Sequence, residues 1–503
     1  MQPRIQWGHH ARFKSPVVSD FATLVNPHIL ITGGTGAGKT HQLRTIISQI
    51  IGSAGNRPPR IHIFDIHGDI RVDDASEVMF SEQSDFGLNP LRIGADPHFG
   101  GPRRAINGVL KTLDKTGYKL GDKQRACLRN ILNDVYEEHG IRQDDPSTWV
   151  VDESESRLLG GDSGARLYLN VPREEKDDAK AFGARWDRET ICWWVPVDEY
   201  VGGITRWPPK TTGRTHPSLD DALRFARRKY LESFIGADKE AVTQLERVNA
   251  MAANLRRKTL QALKAGNRDF RDEEAEAELD KLKQRAVDTF KEAVTAIKTG
   301  TELDDITKYD STEVLKGVID RLENLIGIGV FKPKRPPFDP TKPVWRYNLR
   351  PLDLESRKLF VHFLLRDMFL KALERGETQD LVELLLLDEG KAFIDDEEDN
   401  ILLTLAREVR KFGTGMICAS QSPTHFPDDF NAAMGTKVML RIDESFWKTA
   451  ARKMLLPEEQ IRAIIPRKTC LIQRKEAGKA NGSEWVPVEL GQPTEARRME
   501  AVG

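Results

Sequence analysis

The chain has almost no net charge: 76 Lys and Arg face 77 Asp and Glu over 503 residues. Bulk electrostatics therefore gives no steer towards nucleic acid, although a neutral chain of this size has room for a local basic channel. Cysteine is scarce. Cys127, Cys192, Cys418 and Cys470 stand far apart with no C-x-x-C pair. That argues against a disulfide framework or a zinc site and fits a reduced, cytosolic setting. Long apolar runs are missing as well, and none reaches the ~20 residues of a membrane span. The longest, LVELLLLDEG, is cut by acids and has the length of a strand. The N-terminal MQPRIQWGHHARFK holds no signal-peptide core. The expectation is a soluble, cytoplasmic protein without direct membrane insertion, long enough for two or more cores at ~100–200 residues each.

What is present is more pointed. Residues 33–40, GGTGAGKT, fit G-x-x-x-x-G-K-[ST], with Gly33, Gly38, Lys39 and Thr40 in the fixed slots. HILIT precedes them as a short buried strand. HQLRTIISQIIG follows, with Leu43, Ile46, Ile47 and Ile50 on one helical stripe. A glycine loop between buried strand and helix is the context a phosphate cradle needs. Backbone N–H groups of Gly33, Gly34, Thr35, Gly36, Ala37 and Gly38 would wrap phosphate oxygens, helped by the positive end of the helix. Lys39 would reach the β- and γ-phosphates of ATP and Thr40 would ligate Mg²⁺. The next strand, RIHIFDIHGDI, ends in Asp65. Either Asp65 faces the ligand crevice or the turn is simply capped by Asp69.

An acidic strand must complete such a site. VELLLLDEG, residues 382–390, is continuously apolar, as a strand buried on both faces should be, and ends in Asp388-Glu389. Asp388 would hold Mg²⁺ and Glu389 would polarise the attacking water. GMICASQSP then reads as a second buried strand ending in Gln421, placed to sense the γ-phosphate. Arg407, Arg410 and Lys411 lie just before it. They form either a basic cluster at a helix end or, with Arg410 foremost, an arginine supplied to a neighbouring subunit's γ-phosphate.

Lys39 and Asp388 are 349 residues apart (388 − 39), far more than βα units of ~30 residues require. The reading is therefore an α/β core with a mostly parallel sheet, interrupted by insertions. Residues 15–150 form the first core half. Residues 165–207 form a small Trp-rich α+β module of β-α-β-β order. Residues 216–300 form a helical insertion, and 305–490 the second core half. Trp186, Trp193 and Trp194 suit the core of a tiny domain better than a base-stacking platform. Ser218 and Asp221 suit a capping box. The helices at 240–263 and 273–298 suit a solvated hairpin, with Arg256, Arg257 and Lys258 able to meet phosphates.

Together GGTGAGKT, IFDIHGD, GLNPL, KQRACLRNILNDVYEEHGI, LLLLDEGKAF, REVRKFGTGMICASQSP and TKVMLRI resemble the FtsK/HerA superfamily of P-loop ATPases, nearest its HerA branch and the related conjugative ATPases. The resemblance covers roughly residues 15–150 and 305–475. It implies a RecA-like core, a homohexamer and ATP-driven movement along duplex DNA, with a nuclease or a conjugative apparatus as partner. It also assigns Lys39, Thr40, Asp388, Glu389, Gln421 and Arg410 by position. Two departures stand out: the family's D-E-A-H reads Asp388-Glu389-Gly390-Lys391, and only about 25 residues precede the first expected strand, too few for a β-barrel or an anchor. The Trp-rich module resembles a small domain of plasmid replication and transfer proteins. Two other readings stay open: a secretion or pilus-assembly ATPase that moves protein, and a nucleotide-gated ring scaffold, against which Glu389 speaks.

Overall fold

The four residues of HILIT that become strand are wholly buried because they lie at the centre of a large sheet. The computed structural model describes the chain apart from residues 1, 56, 115–118, 152–165, 170, 172–175, 189, 197–198, 201–202, 205–206, 208–209, 211–213, 236–238, 265–266, 268–269, 297–307, 395–399, 479–483 and 492–503. The acidic run after Phe393 and the Gly-rich boundary near residue 161 thus lie outside the described residues. In chain order the strands are β1 (Arg4–His10), β2 (Pro16–Asp20), β3 (Ile29–Thr32), β4 (Arg60–Asp65), β5 (Ala75–Met79), β6 (Arg166–Leu169), β7 (Arg185–Asp187), β8 (Cys192–Pro196), β9 (Val344–Asn348), β10 (Thr378–Leu387), β11 (Phe412–Ser420), β12 (Thr436–Met439), β13 (Thr469–Arg474) and β14 (Val486–Leu490).

Two compact units result, residues 1–88 with 328–503, and residues 89–327. The first holds an eleven-stranded sheet in the order β2-β1-β14-β13-β12-β3-β11-β10-β4-β9-β5. From β12 to β5 every described pairing is parallel; from β12 outward to β2 every one is antiparallel. The central parallel strands β3, β4 and β11 and the Leu384–Leu387 end of β10 are buried at consecutive residues, as strands covered on both faces are. The class is α/β with a mostly parallel sheet. Helix Lys39–Ser53 lays Leu43, Ile46, Ile47 and Ile50 against Ile29, Ile31 and Ile63.

Three expectations need correction. The first strand begins at Arg4, not near residue 28: Ile5 and Trp7 alternate inward at the antiparallel end of the sheet, and the Trp7 Nε1–H donates to Ser19 Oγ at 2.8 Å. Residues 89–150 pack with the second unit rather than the first. The helices Pro102–Asp114 and Asp122–Glu138 turn their apolar faces to each other, and the latter also meets Leu219–Ile235 and Thr312–Gly327. An amphipathic face is satisfied by another helix as well as by a sheet, so composition alone misplaced that boundary. By the same packing, residues 308–327 belong with the inserted unit.

The second unit also carries the three-stranded sheet β6-β8-β7 with helix Lys176–Ala181, a β-α-β-β module. Its core is Leu167, Leu169, Ala179, Phe182, Val195, Ile204 and Trp207. Of its tryptophans, Trp207 fills the core while Trp186 stays 46% exposed. Ser218 and Asp221 form the capping box, at 2.7 Å and 3.3 Å. Helices Lys239–Lys264 and Glu273–Ala296 pack on each other, and Lys258 is paired with Asp272 at 2.8 Å. Arg257 reaches Glu199 at 3.6 Å. Salt bridges thus engage two of the three cations offered to phosphates.

Candidate functional site

The site lies on one edge of the first unit's sheet. Parallel strands present all their carboxyl ends to the same side, where ligands of open α/β sheets bind. Register fixes the neighbours. Ser420 pairs with Thr32, and Leu387 with both Cys418 and Phe64. The segments that follow β3, β10, β11, β4 and β12 therefore converge.

Residues 33–40 turn from β3 into the helix Lys39–Ser53. Gly33 N–H donates to Ser420 O at 3.0 Å and Gly34 N–H to Arg441 O at 2.7 Å, tying the loop to both neighbouring strands. Gly36 and Gly38 have φ of 75° and 101°, a region L side chains avoid. A Cβ on Gly33 would sit 2.9 Å from that of Leu440. Ala37 is buried against the sheet core, Thr35 and Gly36 are exposed, and Lys39 Nζ donates to Gly33 O at 2.7 Å.

Asp388 follows β10 and is 5% exposed. Burial, with the neighbouring Glu389 and Asp69 carboxylates, pushes its carboxyl up to about 6 against the pull of Lys39 and His67. These groups therefore share one electrostatic site. Glu389 is held at φ 55°, a conformation uncommon outside glycine that costs roughly 1–3 kcal/mol and gathers at functional sites. Its N–H donates to Asp388 Oδ1 at 3.1 Å. Gln421 is exposed one residue beyond β11.

Sequence reading missed several groups here. Asp69 is no mere turn cap: its Oδ2 lies 3.4 Å from Thr40 Oγ1, and Arg44 donates to its carbonyl. Asp65 does not face the crevice. It is fully buried, accepts from Gly68 N–H at 2.7 Å and Ile70 N–H at 3.1 Å, and pairs with Arg346 at 2.6 Å. Arg467, at φ 61°, donates from Nε to Gly36 O at 3.2 Å and so places a guanidinium beside the loop. His425 Nδ1 lies 2.8 Å from Ser420 Oγ, and its pKa is lowered by burial and by Lys391. Of these hydrogen bonds, only those Asp65 accepts from Gly68 and Ile70 and the Ser420–His425 pair are local in sequence.

Arg410 is exposed at the opposite edge, before β11. Nine residues of strand at ~3.3 Å each put it roughly 30 Å from the loop on its own chain. Beside it Arg407 pairs with Asp429 at 2.6 Å and Lys411 stacks over Phe412.

The donor set fits a nucleotide with Mg²⁺. The loop is a cradle that side chains would fill, and the oxygens of Thr40, Asp388 and Asp69 are hard ligands of the kind Mg²⁺ takes alongside phosphate. Among the described residues no three His, Cys, Asp or Glu cluster as a metal site of their own, and a Mg²⁺ shared with phosphates needs no such cluster.

A glycine loop running from a central parallel strand into a helix, with an acidic pair on a strand two places away, defines a P-loop ATPase core. Comparison narrows this. Residues 5–96 match the family model of the helicase HerA central domain, and residues 166–209 match a domain of unknown function, DUF5710. The fold is similar to that of VirB4 of Thermoanaerobacter pseudethanolicus, with a TM-score of 0.56 at 13% identity over 98% of this chain and 97% of that one. A lower TM-score, 0.45, relates it to the plasmid coupling protein TrwB in complex with a non-hydrolysable ATP analogue, at 12% identity over 93% and 86% of the two chains. A DNA primase TraC of Escherichia coli is 50% identical over 42 residues, 8% of this chain and only 4% of the primase. Residues 5–96 are thus similar to the HerA central domain, and the chain shares its α/β fold with VirB4. No helix among the described residues is long and apolar enough to cross a membrane.

Proposed function

We propose that this protein is a Mg²⁺-dependent ATPase that acts as a DNA-transfer motor of the HerA/FtsK type, working as a homohexamer on duplex DNA. The observation that carries this reading is the convergence of Gly33–Thr40, Asp69, Asp388, Glu389 and Gln421 on one sheet edge in a HerA-like core. The loop amides and Lys39 would bind the phosphates of ATP. Thr40 and Asp388 would hold Mg²⁺, which supplies charge neutralisation on the phosphate oxygens. Glu389 would orient and deprotonate the attacking water, and Gln421 would report whether the γ-phosphate is present. Arg410, remote from its own loop, serves only if a neighbouring subunit presents it, which a ring would do. A cytoplasmic setting and a conjugative apparatus or nuclease as partner accompany this reading.

The test is ATP hydrolysis by the purified protein with and without linear duplex DNA, beside Lys39→Ala and Glu389→Gln. Stimulation by DNA that both variants abolish supports the motor. Hydrolysis indifferent to DNA sinks it and favours transport of protein. Absence of hydrolysis, with nucleotide-dependent assembly retained, favours a ring scaffold.

A further inference from the structure

We infer that the Trp-rich module, residues 166–210, carries a binding site for single-stranded DNA. Its centre is a cleft of about 370 Å³ lined by Leu169, Lys176, Trp186, Ile191, Trp193 and Lys210 among others. The module's own core is complete without Trp186, since Phe182 and Trp207 supply its buried aromatic volume. Trp186 stands instead edge to face on Trp193, ring centres 5.2 Å apart, and remains 46% exposed. Ile191 at the hairpin tip is 71% exposed and held at φ 52°. A β-branched residue is a true outlier there, and such strain gathers at ligand clamps. Neither side chain serves the fold where it is, and both border the same cleft.

The polar groups point the same way. Lys176 and Lys210 put two ammonium groups on the cleft, and no carboxylate is among the described residues that line it. Lys210 Nζ donates only to the weak acceptor Cys192 Sγ, at 3.1 Å. By contrast Trp194 is already covered by Arg166 and Arg185, 4.5 Å and 5.3 Å from its ring centre. An exposed indole beside ammonium groups that pair with no carboxylate among the described residues suits an unpaired base stacked on the ring, with its backbone phosphates on the lysines. Bases inside a duplex cannot reach that ring. The site goes beyond the motor reading, for it needs neither hydrolysis nor the phosphate loop.

Full-length protein is titrated into a labelled thymidine oligonucleotide of about 20 nucleotides and into a duplex of equal length, reading fluorescence anisotropy. Trp186→Ala is expected to weaken single-strand binding roughly 5- to 100-fold while duplex-stimulated ATP hydrolysis persists. Trp186→Phe, which keeps a stacking face, restores most of the affinity. Lys176→Gln weakens binding and reduces the salt dependence by roughly 0.7 in log–log slope. Unchanged single-strand affinity in Trp186→Ala overturns the inference. So does equal loss in Trp186→Phe, which would mark a merely structural ring, and so does tighter binding of the corresponding RNA. If duplex stimulation is absent while these single-strand effects hold, the motor reading fails and this one stands.

Discussion

Arg346 is the place where one substitution should damage fold and site together. Its guanidinium, 4% exposed, donates to Asp65 Oδ2 at 2.8 Å and 2.6 Å and to Glu77 at 2.6 Å. Asp65 in turn holds the turn that carries Asp69 towards Thr40. Arg346→Met fills the space but leaves a fully buried carboxylate facing two backbone N–H groups and no cation. Breaking such a pair costs about 3–5 kcal/mol, and the lower figure suits a carboxylate that keeps two hydrogen bonds. At roughly 2–4 °C per kcal/mol for a unit of this size, the melting temperature should fall by about 6–12 °C. Scanning calorimetry with and without ATP·Mg²⁺ would isolate the transition that nucleotide shifts, which matters for a two-unit chain. Arg346→Met/Asp65→Asn removes the orphaned charge and should recover more than half of the loss. A single variant melting within about 1 °C of the parent, or a double variant no better than the single one, would refute the reasoning.

Three shorter expectations follow from the same geometry. Glu389→Gln should reduce hydrolysis by about 10²- to 10⁴-fold while nucleotide still binds, because Glu389 lies after β10 and not in the loop; a filter-binding assay beside a phosphate-release assay separates the two. Arg467→Ala should weaken ATP binding by about tenfold, the worth of a charge-assisted hydrogen bond, with unchanged affinity counting against any role for the guanidinium. His62 is buried beside Tyr347, and burial, followed by the charges of Lys371, Arg60 and Arg375, lowers its pKa from 6.5 to about 3. Its folded value lies below its unfolded value, so the stability it contributes is intact above pH 6.5 and is lost as pH falls towards 3. Between pH 7.5 and 5 that amounts to about 2 kcal/mol. Denaturant midpoints of His62→Phe should lack this part of the pH slope, and parallel slopes would exclude it.

What could be read in advance was local. Gly33 to Thr40 announce their turn because the spacing of glycines, lysine and threonine dictates it, and VELLLLDE reads as a doubly buried strand from eight consecutive residues. The Asp69–Thr40 contact, the Arg467 guanidinium and the Asp65–Arg346 pair depend on strand neighbours that no spacing encodes; the last pair spans 281 residues. β1 escaped notice because a short antiparallel strand buries only alternate residues, here Ile5 and Trp7, amid Arg, Gln and His. The tryptophans divided in a way that composition hides: one fills a core and another stays open. The inserted unit was misjudged at both ends, since a helix pattern does not say which surface it covers.

Order of synthesis gives the sheet topology a further meaning. β3, with the phosphate loop at its end, lies between β11 and β12. Thr32 is made 380 residues (412 − 32) before Phe412 begins β11. At ~5–20 residues per second, the ribosome needs about 20 to 80 seconds to supply that neighbour. Through that interval Ile29, Leu30 and Ile31 have neither partner strand, and the loop has none of the backbone carbonyls that later anchor it. The unit formed by residues 89–327 has all its sequence in hand well before then. The sheet of the first unit is therefore bound to close last, and a newborn chain carries this buried central strand unpaired while the rest of the molecule is still being made.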